Sequence, residues 1–380
     1  MTLAPDAPAD GRGISSRAGD AWRWVLWPFV VTRALIVGLG WLSTSVVRPG
    51  EWWGSPHGVV DLFLRWDTGW FLRIAREGYT YYAPGQESPV AFFPLYPMLV
   101  GGLSRIGVPE VPAGLLVSNV AFYVAAALLC VMWEREYGSV RVGQAGVVFL
   151  LVWPASFFPS MVYSDGLFLA LLAGVMAAGR AGRWCRAGVL GLLLGLTRSI
   201  GALVVVPLLL EAWGVGLPAE QRPKRAGVWW LALVPLGTLA YALFLWRKFG
   251  DPLAVVHVQL AWGRDMAGVV AAFERVRERP LLTQTFLVGA ALWLGSLTAM
   301  MARCRTRPSN TAWCAIVWYT AASTGSLEAF PRLAMMALPA FGFVAALTDE
   351  HPTGRQMILA TLAMLLALYT TLLVNGYWVT

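Results

Sequence analysis

The chain has 380 residues, of which 58% are hydrophobic, only 13% are charged and 20 are tryptophans, with a net charge of +8. A soluble domain of ordinary composition carries about 25% charged residues, so a freely soluble enzyme is excluded. Several apolar runs reach or approach the ~20 residues that cross a bilayer, which makes this a polytopic membrane protein. The positive charge does not read as a nucleic-acid surface, because the arginines are dispersed as flanks of apolar runs.

In chain order, residues 1–20 are small and polar and read as a disordered cytoplasmic N-terminus. The first span, near 24–47, is too long for a signal h-region. Further spans are expected near 111–133, 142–160, 164–180, 186–213, 227–246, 281–302, 311–327, 330–347 and 356–376. The fold class is therefore an all-α transmembrane bundle of about 10–11 membrane segments, a single domain over 21–380. Three short loops, "RAGRWCR" (180–186), "EQRPKR" (220–225) and "RCRTR" (303–307), are basic and belong in the cytoplasm by the positive-inside rule. Loop 48–110, the "YSDG" turn, loop 247–280 and "GSLEAFPR" (325–332) then lie outside. Two adjustments complete the alternation. Segment 91–107, with Pro94 and Pro97, must be re-entrant or interfacial and not cross. Segment 186–213 must be two half-helices meeting at "TRSIG", because both of its flanks are basic.

The polar motifs collect on the external side. Asp67, in "RWDTGWFLRIA", shares a helix face with Trp70, Phe71 and Ile74. It is either the N-cap of a short amphipathic helix or a general base in a partly desolvated pocket. Arg65, Arg73 and Arg76 are counter-ions to it or contacts to lipid headgroups. "AFFPLYPMLV" (91–100) anchors aromatics and prolines at the interface, or shapes a groove for a lipid chain. "WPASFFPSMVYSDGLF" (153–168) is either a helix hairpin capped by Ser164 or Asp165, or a polar surface for sugar hydroxyls. Arg198 and Arg332 are costly near a bilayer. A bridge to Glu328 offsets only one of them, which leaves an anionic phosphate as the partner of the other. "HVQLAWGRD" (257–265) is an interfacial amphipathic helix or a source of ligands, namely His257, Gln259, Trp262 and Arg264. Cys130, Cys185, Cys304 and Cys314 lack metal-ligand spacing and read as packing residues or free thiols. Neither a Gly-rich phosphate loop nor a D-x-D pattern occurs, so neither a nucleotide cofactor nor a divalent metal is indicated.

"RWDTGWFLRIAREGY", "AFFPLYP", "PASFFPSMVYSDGLF", "TRSIG" and "EAFPRLAMMALPAF" resemble, in that order, the GPI mannosyltransferase II (PIG-V-like) family of GT-C membrane glycosyltransferases. The resemblance implies mannose transfer from a polyprenyl-phosphate-mannose to a lipid-linked acceptor on the non-cytoplasmic face, here of a bacterial plasma membrane, with inversion. It implies Asp67 as the catalytic acid of the first external loop. Arg198, Arg332, Arg264, Tyr163, Ser164, Asp165 and Glu328 would then surround the donor. Trp66, Trp70, Tyr79, Phe92, Phe93, Tyr96, His257, Gln259 and Trp262 would line the acceptor or lipid groove. The chain departs from the family pattern at Ile200, where an amide is usual, and at Asp165, where Glu is usual. A transporter or flippase of a lipid-linked sugar, which needs polar access on both faces, and an inactive assembly subunit are the competing classes.

Overall fold

The computed structural model describes residues 14–50, 56 and 58–377, all helices, turns and loops with no strand among them. The part of the expected disordered terminus that precedes Ile14 lies outside the described residues. Helix α1 covers Ile14–Ser43, starting at Ile14 and not near Trp24. The first loop carries α2 (Thr68–Glu77) and α3 (Leu95–Arg105). Then come α4 (Glu110–Tyr137), α5 (Val140–Leu151), α6 (Asp165–Arg180), α7 (Trp184–Gly195) and α8 (Val205–Trp213). After α9 (Leu233–Phe249), a second long loop holds α10 (Ala254–His257) and α11 (Gly268–Arg275). The chain closes with α12 (Leu281–Arg303), α13 (Pro308–Ala322), α14 (Phe330–Ala334), α15 (Leu338–Leu347) and α16 (Pro352–Val374).

Among the described residues, five helices are long and apolar enough to cross a membrane: Gly19–Ser43, Glu110–Tyr137, Val228–Phe249, Leu281–Arg303 and Pro352–Val374. Shorter apolar helices are interleaved with them: α5 packs between α4 and α15, α7 between α6 and α9, and α8 against α13. At 1.5 Å per residue, the 12 residues of α5 or α7 rise about 18 Å, short of the ~30 Å hydrocarbon core. The polar motifs sit where these helices stop.

Local sequence explains the stops. The span expected over 142–160 ends as a helix at Leu151, because Pro154 and Pro159 remove donors and leave only a 3-10 turn at Phe158–Ser160. At "TRSIG" the chain becomes extended at Arg198 (φ −159°, ψ 148°) before a 3-10 stretch, Ser199–Val204, starts the return. The expected pair of half-helices is present. The segment 91–107 contributes only the 11 residues of α3, too few to cross. The span expected over 330–347 is broken between Met335 and Ala337.

Close packing rests on small residues. On α7, Gly188, Gly191 and Gly195 face α9 and the turn before it: a Cβ at Gly188 would strike the Trp230 carbonyl, and one at Gly191 would lie 2.6 Å from Val234 Cγ2. Gly166 in α6 meets the Ser118 carbonyl of α4 in the same way. Such small-residue seams let membrane helices approach where lipid supplies no hydrophobic drive.

Polar groups sort to the two ends. At one end Arg180 pairs with Glu136 (2.8 Å) and bonds Asn310, and Arg307 pairs with Glu211 (2.9 Å). The three basic loops lie at this end. The other end gathers the interrupted helices and both long loops.

Candidate active site

Asp67 stands directly before α2, with φ −65° and ψ −13°, and makes no side-chain capping bond. The cap reading therefore fails at this position. Its predecessor, Trp66, has φ +55°, a left-handed conformation that costs a bulky residue roughly 1–3 kcal/mol and persists only where its surroundings enforce it. The enforcement comes from Tyr163. Its hydroxyl donates to the Arg65 carbonyl (3.2 Å) and accepts from the Asp67 N–H (2.9 Å), bracketing Trp66 from both sides. Tyr163 is fully buried, and its backbone N–H and carbonyl both bond Ser118 Oγ. Ser118 Oγ in turn bonds the Tyr96 hydroxyl at 2.9 Å, and that hydroxyl also donates to the Gly114 carbonyl. A chain of hydroxyls thus carries the rigidity of α3 and α4 to the backbone of Asp67.

The carboxylate belongs to an alternating charge network. Arg332 donates from Nη1 to Asp67 Oδ2 (3.0 Å), and from Nε and Nη2 to the two oxygens of Asp165 (2.9 and 2.7 Å). Arg198 Nη2 also donates to Asp165 Oδ2 (2.7 Å). The Arg332 guanidinium lies 4.8 Å from the Phe158 ring centre and 4.6 Å from that of Tyr163. Trp153 Nε1 donates to the Pro331 carbonyl (2.8 Å), which holds α14 in place. Arg198 and Arg332, for which Glu328 and an anionic phosphate were the expected partners, are here neutralised by two aspartates from distant segments. The bridge considered between Arg332 and Glu328 does not form. Glu328 precedes α14 in a turn where its N–H bonds Ser326, and it pairs with Arg279 instead.

Beside this network lies a cavity of about 580 Å³ lined by Asp67, Trp262, Arg264, Arg275, Glu278, Arg279, Glu328 and Arg332 among others. Asp165 and Arg198 sit behind Arg332 and do not line it. Arg275 is committed to Asp265 through two bonds (2.9 and 2.7 Å) and to the Gly325 carbonyl. The Arg275 bonds hold the Asp265 carboxyl down at about 2. Arg264 differs. It donates to the neutral Gln259 side chain (3.0 Å) and has no carboxylate in ion-pair range among the described residues. Burial pushes its guanidinium below the usual value, with Asp67 pulling the other way. The loop that presents it is tied to the turn after α13 by Met266 N–H to Thr324 and Gly268 N–H to Ser323.

The aromatic candidates divide. Trp70 stacks on Phe92 (6.2 Å), and Phe92 meets Trp262 edge-on (6.1 Å), forming a row that links the first loop to the second beside the cavity. Trp66 is partly buried against the core. Tyr79, Phe93 and Tyr96 are enclosed: Tyr79 donates to the Phe92 carbonyl, and Phe93 packs 4.8 Å from Tyr241. They are packing residues and line no open groove: Tyr79 and Phe93 sit in loop segments folded against Tyr241, and Tyr96 is on the inner face of α3. His257 is half-exposed, bonds Asp251 (2.7 Å) and does not line the cavity. Gln259 serves Arg264. Ser164 is buried and caps nothing through its side chain.

Two groups escaped the sequence reading. Arg275 and Arg279, in the second long loop, line the cavity. Arg33, in the middle of the first apolar span, is buried and donates to the Leu151 and Ser156 carbonyls and to the Ser156 and Ser160 hydroxyls. It pins the segment that leads to Tyr163 and Asp165. A lone arginine inside an apolar span was the available signal.

The mannosyltransferase (PIG-V) family model matches residues 56–206, a stretch that includes Asp67, Tyr163, Asp165 and Arg198. No curated protein matches the chain in sequence. Among solved structures, ArnT from Cupriavidus metallidurans bound to undecaprenyl phosphate is similar, with a TM-score of 0.52 and 16% identity over 88% of this chain and 62% of that one. The archaeal oligosaccharyltransferase AglB from Archaeoglobus fulgidus, in complex with an inhibitory peptide and a dolichol-phosphate, gives a TM-score of 0.47 at 13% identity, over 93% of this chain and 56% of that one. This chain therefore spans less than two thirds of either protein. Residues 56–206 carry the signature of the mannosyltransferase (PIG-V) family, and the chain around them has the all-helical architecture of the GT-C membrane glycosyltransferases.

Proposed function

We propose that this protein is a membrane mannosyltransferase that uses a polyprenyl-phosphate-mannose donor and a lipid-linked acceptor, with Asp67 as general base. One observation carries the reading: a carboxylate freed from helix capping, fixed by Tyr163 and Arg332, stands on the wall of a polar cavity beside an arginine without an acidic partner. The PIG-V match over this stretch supports the sugar, and the ArnT-like fold supports a polyprenyl phosphate as leaving group. The basic loops gather at the opposite end of the bundle, so the positive-inside bias supports a non-cytoplasmic cavity. A polar cavity at that end suits a transferase; a flippase would need matching polar access from the other.

In this mechanism the acceptor hydroxyl lies against Asp67 Oδ1 while Arg332 holds Oδ2. The acceptor oxygen forms its bond to the anomeric carbon as the bond from that carbon to the phosphate oxygen breaks. The hydroxyl proton passes to Asp67, and polyprenyl phosphate leaves with the bonding electrons. Attack from the face opposite the phosphate inverts the anomeric centre through an oxocarbenium-like transition state. Arg264 receives the phosphate, a contribution of about 3–4 kcal/mol for such a preorganised group. Arg332 and Arg198, first considered for that task, act as positioning residues for the two aspartates. The row Trp70, Phe92 and Trp262 offers ring faces to the isoprene or sugar.

The test is transfer by purified variants from synthetic polyprenyl-phosphate-mannose. Asp67→Asn keeps the fold, since Arg332 retains both bonds to Asp165, and is expected to lose roughly 10²–10⁴-fold in kcat. Arg264→Ala is expected to bind donor weakly. Normal turnover by Asp67→Asn in folded protein would remove the assignment.

A further inference from the structure

The far end of the bundle holds a second cavity, of about 590 Å³, between the start of α7 and the turn that precedes α9. Its floor is apolar: Trp184, Val189, Leu190 and Trp230 line it. Trp184 is buried and tied down by Nε1 donating to the Lys224 carbonyl (2.6 Å), and Trp230 stacks on exposed Trp229 at 4.3 Å. The close approach of Gly188 to the Trp230 carbonyl sets the groove's depth. Arg183 and Arg186 stand at its mouth, both exposed and neither in an ion pair among the described residues. No acidic residue lines it. Exposed Lys224 and Arg225 follow on the neighbouring turn.

An apolar trough that ends in two arginines without partners matches a molecule with a hydrocarbon chain and an anionic head. A free anion would leave the tryptophan and leucine wall in water, and a zwitterionic lipid would bring a second cation against the arginines. Arginine forks suit a phosphodiester, and a basic cluster at a membrane surface attracts acidic lipid. We propose that this groove is a binding site for an acidic membrane phospholipid, its phosphate between Arg183 and Arg186 and one acyl chain along Val189, Leu190 and Trp230.

Cys185 lines the groove and is exposed, whereas Cys130 and Cys314 are buried, so it serves as a reporter once Cys304 is replaced. Cys304→Ser protein in mixed micelles of detergent and phosphatidylglycerol is expected to react with a maleimide at Cys185 about fourfold more slowly when the lipid stands at three times its dissociation constant. Phosphatidylcholine and inorganic phosphate are expected to give no protection. Adding Arg183→Gln and Arg186→Gln removes the protection, measured as the ratio of rates with and without lipid in each variant, while Arg141→Gln, a cation at the same end outside the groove, keeps it. The rise in Tm produced by phosphatidylglycerol follows the same pattern. Equal protection by phosphatidylcholine, or protection that survives the double arginine replacement, overturns the assignment. Loss of protection in Arg141→Gln as well would replace the site with diffuse surface charge.

Discussion

Tyr163→Phe isolates the clamp on Asp67. The phenol ring packs against Phe71 and Phe158 and beneath Arg332, and phenylalanine preserves that volume. What disappears is one hydroxyl with two bonds, to the Arg65 carbonyl and from the Asp67 N–H. Each buried group left without a partner costs about 1–3 kcal/mol. Asp67 borders the cavity with a quarter of its side chain exposed, so water can reach its N–H, and the Arg65 carbonyl keeps its bond from the Thr68 N–H (3.3 Å). With neither group left orphaned, a net destabilisation of about 1 kcal/mol is expected. The larger effect is on chemistry, because the left-handed Trp66 stores roughly 1–3 kcal/mol that the turn bond from Thr68 N–H to the Arg65 carbonyl then opposes without the clamp, and relaxation would swing the carboxylate. A displacement near 1 Å costs about 10²-fold in rate. Purified Tyr163→Phe should therefore show kcat lowered ~10–100-fold with donor KM nearly unchanged, since Arg264 is untouched. Turnover within twofold of the parent protein would show that the clamp does not position the base.

Asp165→Asn should be far more damaging to the fold than Asp67→Asn, since it leaves Arg198 and most of Arg332 without a counter-charge in a buried site; about 3–5 kcal/mol is expected, seen as lost yield or Tm in detergent. Wild-type Tm in Asp165→Asn would refute the network. Gly166→Ala must push α6 from the Ser118 carbonyl and should cost about 1–3 kcal/mol, with a neutral Tm counting against the close approach. For sidedness, Glu87→Cys in exposed loop should label from the non-cytoplasmic side and native Cys185 only from the cytoplasm; the reverse pattern would invert the orientation.

Much of the fold was legible because hydropathy and loop charge are local properties. The runs that became α4, α9, α12 and α16 declare themselves by length and apolarity. The break at "TRSIG" follows from two basic flanks around one apolar stretch, and the early end of α5 follows from Pro154 and Pro159. The same charges, with no geometry, sorted Asp67, Asp165, Arg198 and Arg332 to one end. What each of them does there was not local. Asp67 has the sequence context of a helix cap, and only the Tyr163 hydroxyl and the Arg332 guanidinium, reached across 96 and 265 residues, show that its carboxylate is used otherwise. Arg332 has Glu328 four residues away and pairs instead with Asp165, 167 residues distant. Arg264 and Arg275 both belong to the second long loop, yet one faces an amide and the other a carboxylate. Periodicity and composition determine which face of a helix is apolar and which loop stays inside. Which charge meets which is set by how the interrupted helices pack, and for a buried ion that choice separates a structural pair from a group left to bind an anion.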